Sequence, residues 1–201
     1  MPLFIDKIMS SLLQIAVFAV VPFIWWLITA RKRQKFTEWV GLKKIEGGRK
    51  TLTAVIATSA AFILSGALTL CLMRGAETAV SEFAGLRTAA VPAIIVYAVF
   101  NTAFPEELLF RGFILKRLAN KLGFITADFI QALLFGLLHG VMFFPLLGTV
   151  KAIFIILFTG SVAWLMGYVN ERVSNGSIIP SWIIHAASNL FSGICSAFSL
   201  L

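Results

Sequence analysis

Six stretches of this chain contain no Asp, Glu, Lys or Arg: Ile8–Ala30, Thr51–Met73, Thr88–Pro105, Phe129–Val150, Ala152–Asn170 and Val173–Leu201. Each has at least 18 residues, and about 20 apolar residues in a helix cross the hydrocarbon core of a bilayer. Backbone amides at that depth have no water to bond, so such segments must be helical or close into a barrel. Uninterrupted apolar runs of this length fit helices. The expectation is an all-α, polytopic transmembrane bundle of about six spanning helices. Only 13% of the residues are charged and the mean hydropathy is +0.94, which excludes an ordinary soluble domain.

The first run is too long for a signal peptide and lacks a small-residue cleavage site, so it is expected to be a retained helix. No internal repeat or low-complexity linker divides the chain. Residues 1–89 should hold two N-terminal spans joined by a basic loop, and residues 90–201 the remaining core. Cys71 and Cys195 both lie in apolar runs and read as small hydrophobes. Asn175-Gly176-Ser177 reads as a turn.

Basic residues set the expected orientation. Arg31, Lys32, Arg33, Lys35, Lys43, Lys44, Arg49 and Lys50 lie between the first two spans. Lys116, Arg117 and Lys121 follow the third, and Arg172 falls between the fifth and sixth. That places twelve of the 17 basic residues on one side, against Lys7, Arg74, Arg87 and Lys151 on the other. The positive-inside rule puts the richer side in the cytoplasm and both termini outside a cytoplasmic membrane. The net charge of +8 is then a topology signal with some attraction to anionic headgroups, not a nucleic-acid footprint. The segment from Arg31 to Lys50, with Trp39 and Leu42 among its charges, reads as a topology anchor in preference to an interfacial element that guides a substrate. Trp25, Trp26, Trp39 and Trp182 read as an interfacial belt or lipid-facing packing.

Ionisable groups at membrane depth are costly and need a partner or a function. Glu106 and Glu107 interrupt the third run, with Arg111 four residues beyond Glu107. His139 lies in the fourth run and His185 in the sixth, with Asn189 four residues later; these are both histidines of the chain. With Arg117, Asp128 and Asn175 as edge markers, Glu106, His139 and His185 lie ten or eleven residues inward. At about 1.5 Å per residue that is roughly 15 to 16 Å, near the bilayer midplane for all three. The third helix should therefore continue through Pro105, which invites a kink, to about Lys116. Neighbouring residues on a helix point about 100° apart, so Glu106 and Glu107 cannot share one task. Glu107 and Arg111 have i,i+4 spacing and read as a structural ion pair, leaving Glu106 to face the bundle centre. His185 and Asn189 share a face, and Phe135, one turn from His139, could wall the site.

Glu106-Glu107-Leu-Leu-Phe-Arg111, Phe135-Gly-Leu-Leu-His139 and His185-Ala-Ala-Ser-Asn189 resemble, in order and spacing, the motifs E-E-x-x-x-R, F-x-x-x-H and H-x-x-x-N. These belong to the family of CAAX proteases and bacteriocin-processing enzymes, and the resemblance covers roughly residues 90 to 195. It implies a membrane-embedded endopeptidase acting on a membrane-associated protein or peptide near the cytoplasmic face. Glu106 and His139 would activate a water, while His185 and Asn189 would stabilise the oxyanion. A buried carboxylate suits general-base work, and paired donors on one helix face suit an oxyanion hole.

Zinc held by Glu106, His139 and His185 is the rival mechanism, since two histidines and a glutamate are a ligand set for a catalytic zinc. A metal-free site is preferred, because Asn189 next to His185 is better suited to donate than to ligate. The family also contains immunity and scaffolding proteins, so a non-catalytic membrane protein is the alternative function.

Overall fold

The computed structural model describes residues 2–72 and 77–200. Arg74, together with Met73 and Leu201 at the ends of two apolar runs, lies outside the described residues. Four helices are long and apolar enough to cross a membrane. The first, α1 (Leu3–Thr29), leads through the single-turn α2 (Phe36–Trp39) to α3 (Gly48–Leu72). The third, α4 (Arg87–Leu122), is helical over 36 residues and passes through Pro105 without ending. The fourth, Phe124–Val173, has 50 residues, roughly 75 Å if it were straight. It is not straight. Gly148, at φ 74° and ψ 174°, breaks it into two arms, α5 (residues 124–147) and α6 (residues 149–173). The left-handed φ is one that glycine adopts without steric cost.

The last helix, α7 (Ile179–Phe198), has 20 residues. It is less apolar than the others because it carries Ser181, His185, Ser188 and Asn189. The six long segments match the all-α polytopic bundle expected, and no strand occurs among the described residues. Large apolar side chains such as Leu13, Ile28, Leu64 and Val150 lie on the outside. In water they would be a liability; in a bilayer they face lipid tails.

The arms α5 and α6 run antiparallel at very close range. A Cβ on Gly136 would come within 2.5 Å of the Ile156 carbonyl oxygen and 3.2 Å of Gly160 N. Small residues that admit close backbone approach are the usual means of packing helices in lipid. One end of the bundle is a cluster of Val80, Phe83, Ile94, Tyr97 and Ala197, with Leu3 and Leu190 against it. Lys7 is paired there with Glu82 at 2.6 Å.

The basic loop forms the opposite end and is firmly tied. Ile178 N donates to Gly41 O at 2.9 Å, Ser177 Oγ to Lys43 O at 2.7 Å, and Thr51 Oγ1 to Val173 O at 3.0 Å. Lys116 Nζ donates to Glu171 Oε1 and to Gly176 O. Asn175 and Gly176 form the turn between α6 and α7, both at positive φ.

Two sequence readings are corrected here. Trp39 is not a belt residue: it is buried, with the Arg117 guanidinium 3.9 Å over its ring and Arg117 Nη2 donating to its carbonyl oxygen. Once α2 folds back over the end of α4, the indole is the apolar surface that covers the basic side chain. Asp128 does not mark an exposed edge either, for it is completely buried between α5 and α6. Trp25, by contrast, is about half exposed on α1, as a lipid-facing residue should be.

Candidate active site

Glu106 and Glu107 sit in one turn of α-helix, Phe104–Glu107, flanked by π-helical segments at Tyr97–Ala103 and Leu108–Leu115. Widened turns of this kind are frequent at functional sites, because they re-aim side chains and free carbonyls. In the first, Val99 O accepts both Phe104 N and the Trp182 indole N–H, the latter at 2.8 Å. That bond ties α4 to α7, so Trp182 has a polar role as well as a packing one.

Glu107 is fully buried, and its Oε1 accepts from Arg111 Nη1 at 2.9 Å. The same oxygen lies 2.9 Å from His185 Nδ1. Glu107 is therefore more than one half of an ion pair, because it also holds the imidazole of α7. A carboxylate paired with a guanidinium is ionised and can only accept, so His185 Nδ1 carries the proton. The His185 Nε2 edge then faces Glu106, whose Oε2 is 3.9 Å away. That oxygen is buried and has no hydrogen-bond partner in the protein.

His139 comes to the same place from α5. Its Nδ1 donates to Phe135 O at 2.9 Å, which leaves Nε2 as the free edge. The Phe135 ring walls the site between the histidines, with ring-centre distances of 4.4 Å to His139 and 6.1 Å to His185. The Arg111 guanidinium lies 4.5 Å from the same ring. Phe62 of α3 closes the His185 side at 6.3 Å. The structure thus gathers Glu106, Glu107, Arg111, Phe135, His139 and His185 in one region of the bundle.

Asn189 is one turn further along α7, where its Nδ2 donates to Thr102 Oγ1 at 2.6 Å. Thr102 Oγ1 in turn donates to Tyr97 O at 3.2 Å. One amide proton of Asn189 is used in this way and the other is free.

Three polar groups beside the site were not anticipated. Thr102 orients Asn189. Asn170 and Ser181 exchange two hydrogen bonds, Asn170 Nδ2 to Ser181 Oγ at 2.7 Å and Ser181 N to Asn170 Oδ1 at 3.1 Å. They lock α6 to α7 one turn before His185. Asp128 and Gln131 lie on α5, with Gln131 Nε2 donating to Asp128 Oδ1 and to Ala163 O. Their spacing to Phe135 and His139 is a readable helical stripe. Thr102 and Asn170 leave no comparable signal.

Among the described residues no three His, Cys, Asp or Glu side chains gather as they would around one metal ion.

The family model described as type II CAAX prenyl endopeptidase Rce1-like matches residues 88–191. The matched stretch runs from the start of α4 past Asn189 and contains all three motifs. No curated protein and no solved structure matches the chain. Residues 88–191 are more than half of the 201 residues, and the chain belongs to the Rce1-like family of type II CAAX prenyl endopeptidases.

Proposed function

We propose that the protein is an intramembrane endopeptidase that hydrolyses a peptide bond in a membrane-associated protein or peptide. Water gives a proton to the Glu106–His139 pair as it attacks the scissile carbonyl, and the pair returns a proton to the leaving amine as the C–N bond breaks. The observation that carries this reading is the buried, unpartnered Oε2 of Glu106, turned toward the free edge of His185. An unpartnered carboxylate oxygen at this depth is costly, and a water molecule is a natural partner for it. His139 Nε2 is a second free acceptor, because Nδ1 is occupied by its own helix.

His185 and Asn189 serve the oxyanion. With Nδ1–H held by Glu107, His185 faces the oxyanion with Nε2 and donates there once that nitrogen also carries a proton. The second amide proton of Asn189 is the other donor. Each such donor contributes about 2.7 to 4 kcal/mol in well-studied acyl-transfer sites. Glu107 and Arg111 hold His185 in place without touching substrate. No step needs a metal ion.

The basic end of the bundle faces the cytoplasm, following the positive-inside rule, and substrate is cut near that face. The test uses protein purified in detergent and two reporter peptides, one prenylated at a C-terminal CAAX sequence and one unmodified. Glu106→Ala and His139→Ala should abolish cleavage while inserting normally. Wild-type turnover by Glu106→Ala would overturn the assignment. Stoichiometric zinc, with activity lost to chelators and restored by metal, would replace the glutamate mechanism with a zinc one.

A further inference from the structure

Asp128, Gln131, Phe135 and His139 follow one another at i, i+3, i+7 and i+11, which is a single face of α5. The face begins about 6 Å of helix rise inside the basic end, counted from Phe124, and finishes at the candidate catalytic histidine. Asp128 and Gln131 are buried and His139 is half-buried, and several polar atoms here have nothing in the protein to bond. Asp128 Oδ2 and Gln131 Oε1 are acceptors without donors, although both side chains are 0% exposed. Across the helix pair, Arg111 Nε and Nη2 are donors without acceptors on a side chain that is also 0% exposed, and Glu107 Oε2 lacks a donor.

The two sets are neighbours. Arg111 stacks on Phe135, and Phe135 packs with Ala163, whose carbonyl oxygen accepts from Gln131. Opposite charges on facing helices in lipid would be expected to join directly. They do not, because Arg111 Nη1 is committed to Glu107 and Asp128 is held against α6, where a Cβ on Gly167 would overlap its carboxylate. What remains between them is a matched set of free donors and acceptors. A buried water needs two to four such partners.

We propose that buried water bridges Asp128 and Gln131 to the free edge of Arg111, forming a file along this face of α5 between the basic end and the Phe135–His139 pocket. On the endopeptidase reading, the file brings water to the site without crossing the lipid-facing surface. It has its own test, which does not depend on turnover.

The measurement is X-ray hydroxyl-radical labelling of the full chain in lipid nanodiscs, read residue by residue by mass spectrometry. Radicals form from water next to a side chain, so buried residues label only where water is held. Phe135 and Phe83 are 3% and 0% exposed, but Phe83 lies in an apolar cluster. Phe135 should label several-fold faster than Phe83, and equal rates would overturn the proposal. Gln131→Met removes the bridging amide at similar volume. It should lower Phe135 labelling severalfold while His139, on the other side of the ring from Gln131, keeps its own rate. Undiminished Phe135 labelling in that variant would place the water elsewhere and overturn the assignment to Gln131. Should Gln131→Met fail to fold, Asp128→Ala removes the other bridging group and is read in the same way, and undiminished Phe135 labelling there overturns the proposal.

Discussion

His185 Nδ1 lies 2.9 Å from Glu107 Oε1, so a histidine of the last helix is held by a carboxylate whose charge is fixed by Arg111 one turn along α4. The bond sets which ring nitrogen carries the proton and which edge faces Glu106. Glu107→Gln keeps the volume but removes the charge, and its amide can offer Nδ1 either a donor or an acceptor. Turnover should fall by about 10²- to 10⁴-fold, the range seen when a carboxylate that orients a functional histidine is neutralised. Nitrogen NMR of the His185 ring, in protein of confirmed helicity, should show loss of the single Nδ1–H form. An unchanged ring spectrum would mean that Glu107 does not set the tautomer.

Arg111 and Glu106 differ in what their removal leaves behind. Arg111→Ala strands the Glu107 carboxylate in a fully buried position. Breaking a buried pair in this way costs about 3 to 5 kcal/mol. Glu106 has no ionic partner closer than the His185 contact at 3.9 Å, so Glu106→Ala strands nothing. Detergent melting curves should show early unfolding for Arg111→Ala and a near wild-type transition for Glu106→Ala, with turnover lost in both. The reverse pattern would exchange the roles of the two glutamates.

The sequence carried the bundle because charge is so costly in lipid that its absence marks each span, and the break at Gly148 falls inside the fourth run, three residues before the Lys151 that ends it. It also carried the neighbourhood of Glu106, His139 and His185, since ionisable groups in apolar spans need one another, although Asp128, from which the depth of His139 was counted, is itself buried. It did not carry the bond between Glu107 and His185. The i,i+4 rule pairs residues along one helix, and nothing in it predicts that a second helix will share the same oxygen. Thr102 and Asn170 were illegible for a related reason: a hydroxyl or amide in an apolar run can satisfy itself on its own helix, and only packing reveals one that does not. Trp39 was misread because its burial depends on Arg117, which is far away in the chain.

Thr102 provides a graded test of how Asn189 is held. Thr102→Val keeps the shape and removes the acceptor for Asn189 Nδ2, now at 2.6 Å. One neutral hydrogen bond is worth about 0.5 to 1.5 kcal/mol, which corresponds to roughly a 2- to 12-fold loss of rate if the bond positions a transition-state donor. The loss should appear in kcat with KM little changed. A change confined to KM would place Asn189 in substrate binding and remove it from the oxyanion hole.

The close approach of α5 and α6 places His139, one turn beyond Gly136, and it can be disturbed with a single methyl group. Gly136→Ala would set its Cβ 2.5 Å from Ile156 O and 3.2 Å from Gly160 N, both backbone atoms that cannot rotate aside. The arms must separate, at a cost of about 1 to 3 kcal/mol for overpacking, and His139 moves with its helix. Gly66 on α3 is the matched control. Its nearest neighbour would be Ser188 Oγ at 3.8 Å, ordinary contact distance, and alanine there gains about 0.5 to 1 kcal/mol of helix propensity. Gly66→Ala should melt at or above the wild-type temperature with full turnover, and Gly136→Ala should lose both stability and rate. Equal behaviour of the two variants would mean that the α5–α6 contact is looser than its glycines imply, and that His139 owes its position to the Phe135 carbonyl alone.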